Sequence, residues 1–473
     1  MMGREASESG KLFYSSINLE QRIRTDHILR KIKKHIDFDF VYKEVKEQYG
    51  SNGNVSVPPP VILKMMLLLI IYNVRSEREL IDTLPERLDW LWFLGYDIDN
   101  EIPNHSVLSK ARNRWGVEIF KHLFEKVVRQ CVEAGLVAGK KLFMDSSLVQ
   151  ANAANNSVIW PEKLNKYLEK GYKILESRLE EKEGVEGKTN DTWKSETDPD
   201  ASIVRRKGRK AKLEYQVHRG VDGKAEIITS SEVTPGKVNE AHKLKDLVEQ
   251  HKMNTGIKAQ TVIADKKYGT NDNYIYCYDN HIQGHMRSLK ESHGREGRSK
   301  GIYSEEMFSY DKKRDVFICP GGEELPRRVY HADRKQYEYK AQKKACQECG
   351  LRSKCTNDKG GRTVKRHERQ DTIDVMVNAA KSDQSLTDIK TRMHLMERSF
   401  ARSVRYGYKR ARWRRLWRVQ IQEYITASIQ NIMILIKNTE KGLGGVKKIM
   451  DISIKIIKKY FSRDINYEKI ILG

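Results

Sequence analysis

Asp145, Asp265 and Glu397 are far apart in the chain, yet each sits where a carboxylate could serve one metal site. Asp145 interrupts the apolar run Lys141-Leu-Phe-Met-Asp-Ser-Ser-Leu-Val149, and Asp265 ends the run Thr261-Val-Ile-Ala-Asp265. Glu397 lies in Met393-His-Leu-Met-Glu-Arg-Ser-Phe400, at the mouth of a basic aromatic stretch. A carboxylate in a segment that otherwise favours burial is costly unless it is paired or metal-bound. Mg²⁺ prefers hard oxygen ligands. Two such ions, roughly 3.5–4 Å apart, can stabilise the attacking and leaving oxygens of a phosphoryl transfer. The middle of a central strand suits a bridging carboxylate, as at Asp145. The end of the neighbouring strand suits Asp265, and a helix crossing the sheet suits Glu397. Singly, each acid has a plainer reading: a turn cap, a strand-end Asx-turn, a helix surface residue. Together, beside a basic surface, they point to metal-dependent chemistry on nucleic acid.

The elements that must position them follow from patterning. Residues 12–135 read as helical. Pro58-Pro-Pro60 opens a helix over Val61–Tyr72, Ser76 with Glu79 fits a capping box, Asn104-His-Ser106 caps another helix, and Gly135 closes the amphipathic stretch Val117–Cys131. A helix-turn-helix is one reading of this region and plain helix packing the other. Residues 140–152 switch to strand character, and 161–184 return to a helix before a polar loop to Ser195. Leu213–Val221 alternates with period two, Asp222-Gly223 predicts a two-residue turn, and Ala225–Thr234 returns as a strand. Asn239–Gln250 reads as a helix, Gln260–Asp265 as a strand, Asn271–Asp279 as a helix and Gln283–Arg287 as a strand. That order predicts an α/β fold: a mixed sheet with flanking helices, preceded by an all-helical domain. A polar, cysteine-bearing segment over 290–385 interrupts it before helices resume at 386–437, and the tail reads as a basic amphipathic helix that docks on a surface.

Composition narrows the partner. Lys and Arg number 88 against 64 Asp and Glu, a formal charge of +24. A surplus of that size favours a polyanion, because neutralising phosphates releases counterions. The run Val61–Val74 is shorter than the roughly 20 residues that span a bilayer and reads as a buried helix. Residues 1–20 lack the pattern of a secretory signal. These features predict a cytoplasmic chain with no membrane partner, whose six cysteines are thiols or metal ligands. Cys319, Cys346, Cys349 and Cys355 form one set, compatible with tetrahedral Zn²⁺ or with free structural thiols. Cys131 and Cys277 read as core. His218, His242 and His285, beside the predicted sheet, read as structural.

Residues 398–418 hold Arg398, Arg402, Arg405, Lys409, Arg410, Arg412, Arg414, Arg415 and Arg418, interleaved with Tyr406, Tyr408, Trp413 and Trp417. Arginine grips phosphate as a fork, and aromatics stack on unpaired bases. Gly407 is placed to break the helix, so the stretch reads as an arm that follows a DNA backbone.

With these residues in view, the chain resembles bacterial insertion-sequence transposases of the DDE type, which have a ribonuclease H-like core. The resemblance runs from about Val57 to Lys437. It rests on Phe143-Met-Asp-Ser-Ser-Leu-Val-Gln-Ala-Asn-Ala153, Thr197-Asp-Pro-Asp-Ala201 with the hairpin after it, and Val262-Ile-Ala-Asp-Lys-Lys-Tyr-Gly269. Met396-Glu-Arg-Ser-Phe-Ala401, Tyr406-Gly407 and Thr426-Ala-Ser-Ile-Gln-Asn-Ile432 complete it. The chain departs from the pattern at Lys267, where glycine is frequent, and at Arg402, Val404 and Arg415.

The resemblance implies that Asp145, Asp265 and Glu397 hold two Mg²⁺ or Mn²⁺ ions. It implies hydrolysis at the ends of a DNA element, then attack of the freed 3′-hydroxyl on target DNA. The partners would be double-stranded DNA and, because two ends are paired, a homodimer or higher assembly at the bacterial nucleoid. A cysteine-bearing insertion is usual in this branch. The expected domains are a helical one at 1–138, a catalytic core at 139–289 and 386–440, the insertion at 290–385 and a basic tail at 441–473. The competing readings are a metal-dependent nuclease without strand transfer and a domesticated DNA-binding protein.

Overall fold

Twelve consecutive residues from Pro59 to Ile70 are buried, so the helix α1 (Pro59–Ile71) is apolar all round and other helices must surround it. Prolines at its start cost no hydrogen bond, because the first-turn N–H groups have no partner within the helix. The computed structural model describes residues 18–50, 55–154, 157–159, 194–206, 208, 210–289 and 302–461, with side chains to residue 440. Around α1 pack Ile28–His35, Phe40–Val45, Glu77–Thr83, Leu88–Leu94 and Ser106–Trp115, followed by α2 (Glu118–Glu133). Ser76 Oγ accepts the Glu79 N–H at 3.1 Å, and Gly135 closes α2 at φ +68°.

The sheet is mixed. Its strands are β1 (Lys141–Gln150), β2 (Lys212–Asp222), β3 (Ile228–Pro235), β4 (Thr261–Ile263) and β5 (Gln283–His285). They lie side by side as β3-β2-β1-β4-β5, with the short Ser202–Val204 strand also on β2. β1 pairs parallel with β4 and antiparallel with β2, so β1 is central. Side chains alternate across it. Leu142 and Met144 join the core under α3 (Leu244–Thr255) and α4 (Asn271–Asp279), whereas Phe143 joins the core under α5 (Asp383–Arg405) and α6 (Leu416–Phe461). The Phe143 core is continuous with that of the N-terminal helices, and Phe124 of α2 stacks on Tyr424 of α6 at 5.6 Å.

The β2–β3 connection differs from expectation. Asp222-Gly223 does not form a two-residue turn; the loop runs from Gly223 to Ile227, with Glu226 left-handed at φ +62°. The Asp222 carboxylate instead accepts N–H bonds from Ala138, Gly139 and Lys224, tying the hairpin to the start of β1. The helix expected over 161–184 lies outside the described residues. Lys194–Ser195, expected in a loop, pairs with Val158–Ile159.

The cysteine-bearing segment forms its own sheet from Ser309–Asp311, Val316–Ile318, Glu324–His331, Gln336–Lys340 and Thr363–His367, over a separate small core. Gln370–Ala379, expected within that segment, instead returns to the mixed sheet through Ile373 and Met376. α5 ends at Arg405, and Gly407 two residues on turns the chain at φ +74°. α6 continues without a break past residue 440 to Phe461, so no boundary falls at the expected start of the tail. No helix among the described residues is long and apolar enough to cross a membrane.

Candidate metal centre and DNA interface

Asp145 projects from the centre of β1 on the face that α5 covers. Two residues beyond β4, Asp265 opens the 3₁₀ turn Lys266–Tyr268, its Oδ1 accepting the Lys267 N–H at 2.9 Å. Because β1 and β4 run parallel in register, Phe143 beside Ile263, Asp265 just past the end of β4 comes level with Asp145 in the middle of the longer β1. A third acid joins them, and it is Glu240. Ligand oxygens of Asp145, Glu240 and Asp265 lie within 4.8 Å of one another, and no other such group of His, Cys, Asp or Glu occurs among the described residues.

Glu240 begins the 3₁₀ turn Glu240–Lys243 between β3 and α3 and is 4% exposed. Its carboxylate accepts from Ser146 Oγ and from Lys267 Nζ. In sequence it reads only as an acid near a helix start, where an acid favours the helix dipole. Its one local signal is its place directly after a strand that pairs near β1.

Glu397 does not meet the two aspartates. It is exposed on α5, and the side chain of that helix that reaches Asp145 is Arg392. Asp388, one turn earlier, accepts from Lys141 Nζ at 2.8 and 2.9 Å and lies 2.9 Å from His285 Nδ1. These contacts fix the rotation of α5 on the sheet. Five residues beyond Arg392, Glu397 is turned roughly 140° away from it. Burial pushes the Asp145 carboxyl above its ordinary value, and Asp265 adds to this against the pull of Arg392. Tyr268 is fully buried, and its hydroxyl has no hydrogen-bond partner among the described residues. Burial raises that hydroxyl's pKa well above its ordinary value, and the charges of Glu240, Asp145 and Asp265 add to this. The three carboxylates are a hard-oxygen donor set that fits Mg²⁺ or Mn²⁺.

The basic stretch is largely a clasp. Arg398 and Arg402 both bind Glu226 of the β2–β3 loop. Arg412 donates to Val74 O and Asn73 Oδ1. Trp413 donates to Glu77 at 3.0 Å, and the Arg112 guanidinium covers its ring at 4.0 Å. Arg414 donates to Asn152 O, the Arg415 N–H to Asp198, and Arg418 to Asn113. Trp413 and Trp417, expected to be exposed for base stacking, are partly buried against the main core, because the chain after Gly407 folds back onto the N-terminal helices. Arg405, Lys409 and Arg410 are exposed. Beside them a cavity of about 370 Å³ opens between the end of β1 and α5, with Lys212 and Lys409 in its lining.

Cys319, Cys346, Cys349 and Cys355 are partly buried free thiols around one small cavity. A Cβ on Gly321 would lie 3.5 and 3.6 Å from the sulfurs of Cys349 and Cys319. The donor set suits zinc, although the sulfurs converge less closely than the three acids do. Cys131 and Cys277 are buried in the core, and His218 and His285 are buried with hydrogen-bond partners.

A mixed sheet presenting three clustered carboxylates on a basic chain defines a class, the α/β proteins with an acidic site able to hold a divalent cation. Comparison with known families makes this specific. Residues 17–114 match the family model described as Transposase domain, and residues 318–436 match the one described as Transposase DDE domain. The chain carries a transposase domain in its N-terminal part and a DDE-type transposase domain in its C-terminal part. The second match includes Glu397 and the four cysteines and begins after Asp145, Glu240 and Asp265. No protein with a curated description matches the chain. Chains of solved structures do match, among them one described as the cryo-EM structure of piggyBac transposase synaptic complex with hairpin DNA. The identity is 9% over 88% of this chain and 74% of that one, with a TM-score of 0.34. A likeness that remote carries no argument about fold or chemistry.

Proposed function

We propose that this chain cleaves DNA at the ends of a mobile element and joins the freed 3′-hydroxyl to target DNA, with Asp145 and Asp265 holding divalent magnesium or manganese on a ribonuclease H-like core. The observation that carries the reading is the convergence of the two carboxylates from adjacent parallel strands. The mixed sheet with helices on both faces and a cysteine-bearing insertion supports the core assignment.

When bound, the ions would supply Lewis acidity to the attacking oxygen and offset charge on the phosphate. The remaining work falls to the chain. Asp145 is fixed on a central strand and Asp265 by its own turn, so neither carboxylate must be ordered when DNA arrives. Arg392 neutralises Asp145 in the DNA-free chain. Arg405, Lys409, Arg410 and Lys212 offer exposed positive charge to phosphates around the Gln150 end of β1, five residues along the strand from Asp145, consistent with the net charge of +24. Pairing two element ends calls for at least a dimer. The four thiols would hold Zn²⁺ and stabilise the insertion, taking no part in the reaction.

The test is an assay with terminal-repeat DNA, Mg²⁺ or Mn²⁺ and a target plasmid. Joined products from the wild type, with binding but no cleavage by Asp145→Asn, support the reading. Cuts without joining reduce it to a nuclease, a band shift without cuts to a binding protein. Wild-type nicking by Asp145→Asn overturns the site.

A further inference from the structure

Glu240 is not accounted for by packing alone. Its carboxylate is 4% exposed and lies against two other carboxylates, an arrangement whose mutual repulsion raises the cost of burial. Its counter-charge is Lys267, whose side chain is 62% exposed and reaches in from solvent at its tip. Its other partner is the Ser146 hydroxyl, which also accepts from Gln216 Nε2 at 2.6 Å. Ser146 is the residue after Asp145, so Glu240 is held by the strand that presents the first aspartate. Tyr268 ends the 3₁₀ turn that Asp265 caps, and its hydroxyl is fully buried and without a partner among the described residues. A buried hydroxyl left unpaired is unfavourable, and it is relieved by a ligand that brings an acceptor to it.

Resting on the metal-site reading above, we propose that Glu240 is the third carboxylate of the divalent-cation site in the DNA-free chain. Tyr268 is its positioning residue, donating to a carboxylate or to water on the ion, and Lys267 holds the cation's place on Glu240 until the ion arrives. An exposed lysine suits that role, because its ammonium swings into water at little cost, whereas the buried Arg392 has less freedom to leave. Glu397 takes no part in this site before DNA binds.

The experiment is Mn²⁺ titration of the full chain without DNA, read by electron paramagnetic resonance, with thermal unfolding of each variant as the folding control. Glu240→Gln should weaken Mn²⁺ roughly tenfold or more, as loss of a ligand or its close support does. Tyr268→Phe should weaken it by a smaller factor, and Glu397→Gln should match wild type. Lys267→Met should tighten Mn²⁺, because it removes the competing cation; a purely structural Lys267–Glu240 pair would not give that result. A wild-type titration by Glu240→Gln, or unchanged affinity in Lys267→Met, overturns the proposal. If Asp145→Asn loses Mn²⁺ while Glu240→Gln keeps it, only the Glu240 assignment falls. If Asp145→Asn also titrates like wild type, the metal-site reading falls with it.

Discussion

Arg219, directly opposite Asp145 in the register of β1 and β2, is buried in a two-pronged pair with Glu423 of α6, at 2.7 and 2.8 Å. Both side chains are fully buried, and Ser231 and Ser399 add hydrogen bonds. The pair fastens the strand beside Asp145 to the longest helix. Removing one partner of such a pair strands the other charge. Glu423→Gln should therefore cost about 3–5 kcal/mol in urea unfolding. Arg219→Met with Glu423→Leu should recover most of that, since apolar replacements of a buried pair are tolerated.

The clasp and the exposed charges proposed to face DNA separate by experiment. Trp413→Ala should lower stability by about 2 kcal/mol, below the range for a fully buried tryptophan because Trp413 is only partly covered. Gln at Arg405, Lys409 or Arg410 should leave the melting temperature unchanged. Each should lower DNA affinity and make the salt slope shallower by about 0.9 for every phosphate that is no longer neutralised. Equal salt slopes in wild type and in the triple variant would remove these residues from the interface.

The thiol cluster predicts one zinc per chain by native mass spectrometry, lost in Cys349→Ser. Chelation should unfold the insertion's sheet, whose small core is separate from the catalytic one. A zinc-free wild-type chain with unchanged stability in chelator would show that the thiols are structural only.

His218 gives a pH signature. Burial pushes its pKa down to about 3, with Lys243 adding to the effect, so the fold holds it neutral. Its folded value lies below the ordinary 6.5, so its contribution to stability is complete above pH 6.5 and is lost as pH falls toward 3. From pH 6.5 to 5 the loss should be about 2 kcal/mol. His218→Gln should flatten that limb of the stability curve.

Much of the frame was legible in the sequence. The apolar runs that hold Asp145 and end at Asp265 placed the first on a strand and the second at a strand's end; β4 stops at Ile263, and Asp265 opens the turn after it. α1 was legible because a run of apolar residues behind prolines has few other solutions. The hairpin strands were legible, but their turn was not: Asp222 spends its carboxylate on Ala138 and Gly139, distant in sequence. Nor was the clasp, since a basic aromatic stretch looks the same whether its arginines await phosphate or meet Glu226 and Asn73.

The sequence by itself determined the transposase resemblance, the strand that carries Asp145 and the strand that stops just short of Asp265. Tertiary structure decided which further acid stands beside them. Asp388 locks α5 through Lys141 and His285, and that rotation presents Arg392 to Asp145 while leaving Glu397 in solvent. The loop after β3, fixed by nothing in its own spacing, brings Glu240 in. Local periodicity says which residues share a face of a helix; only packing against the rest of the molecule sets where that face points.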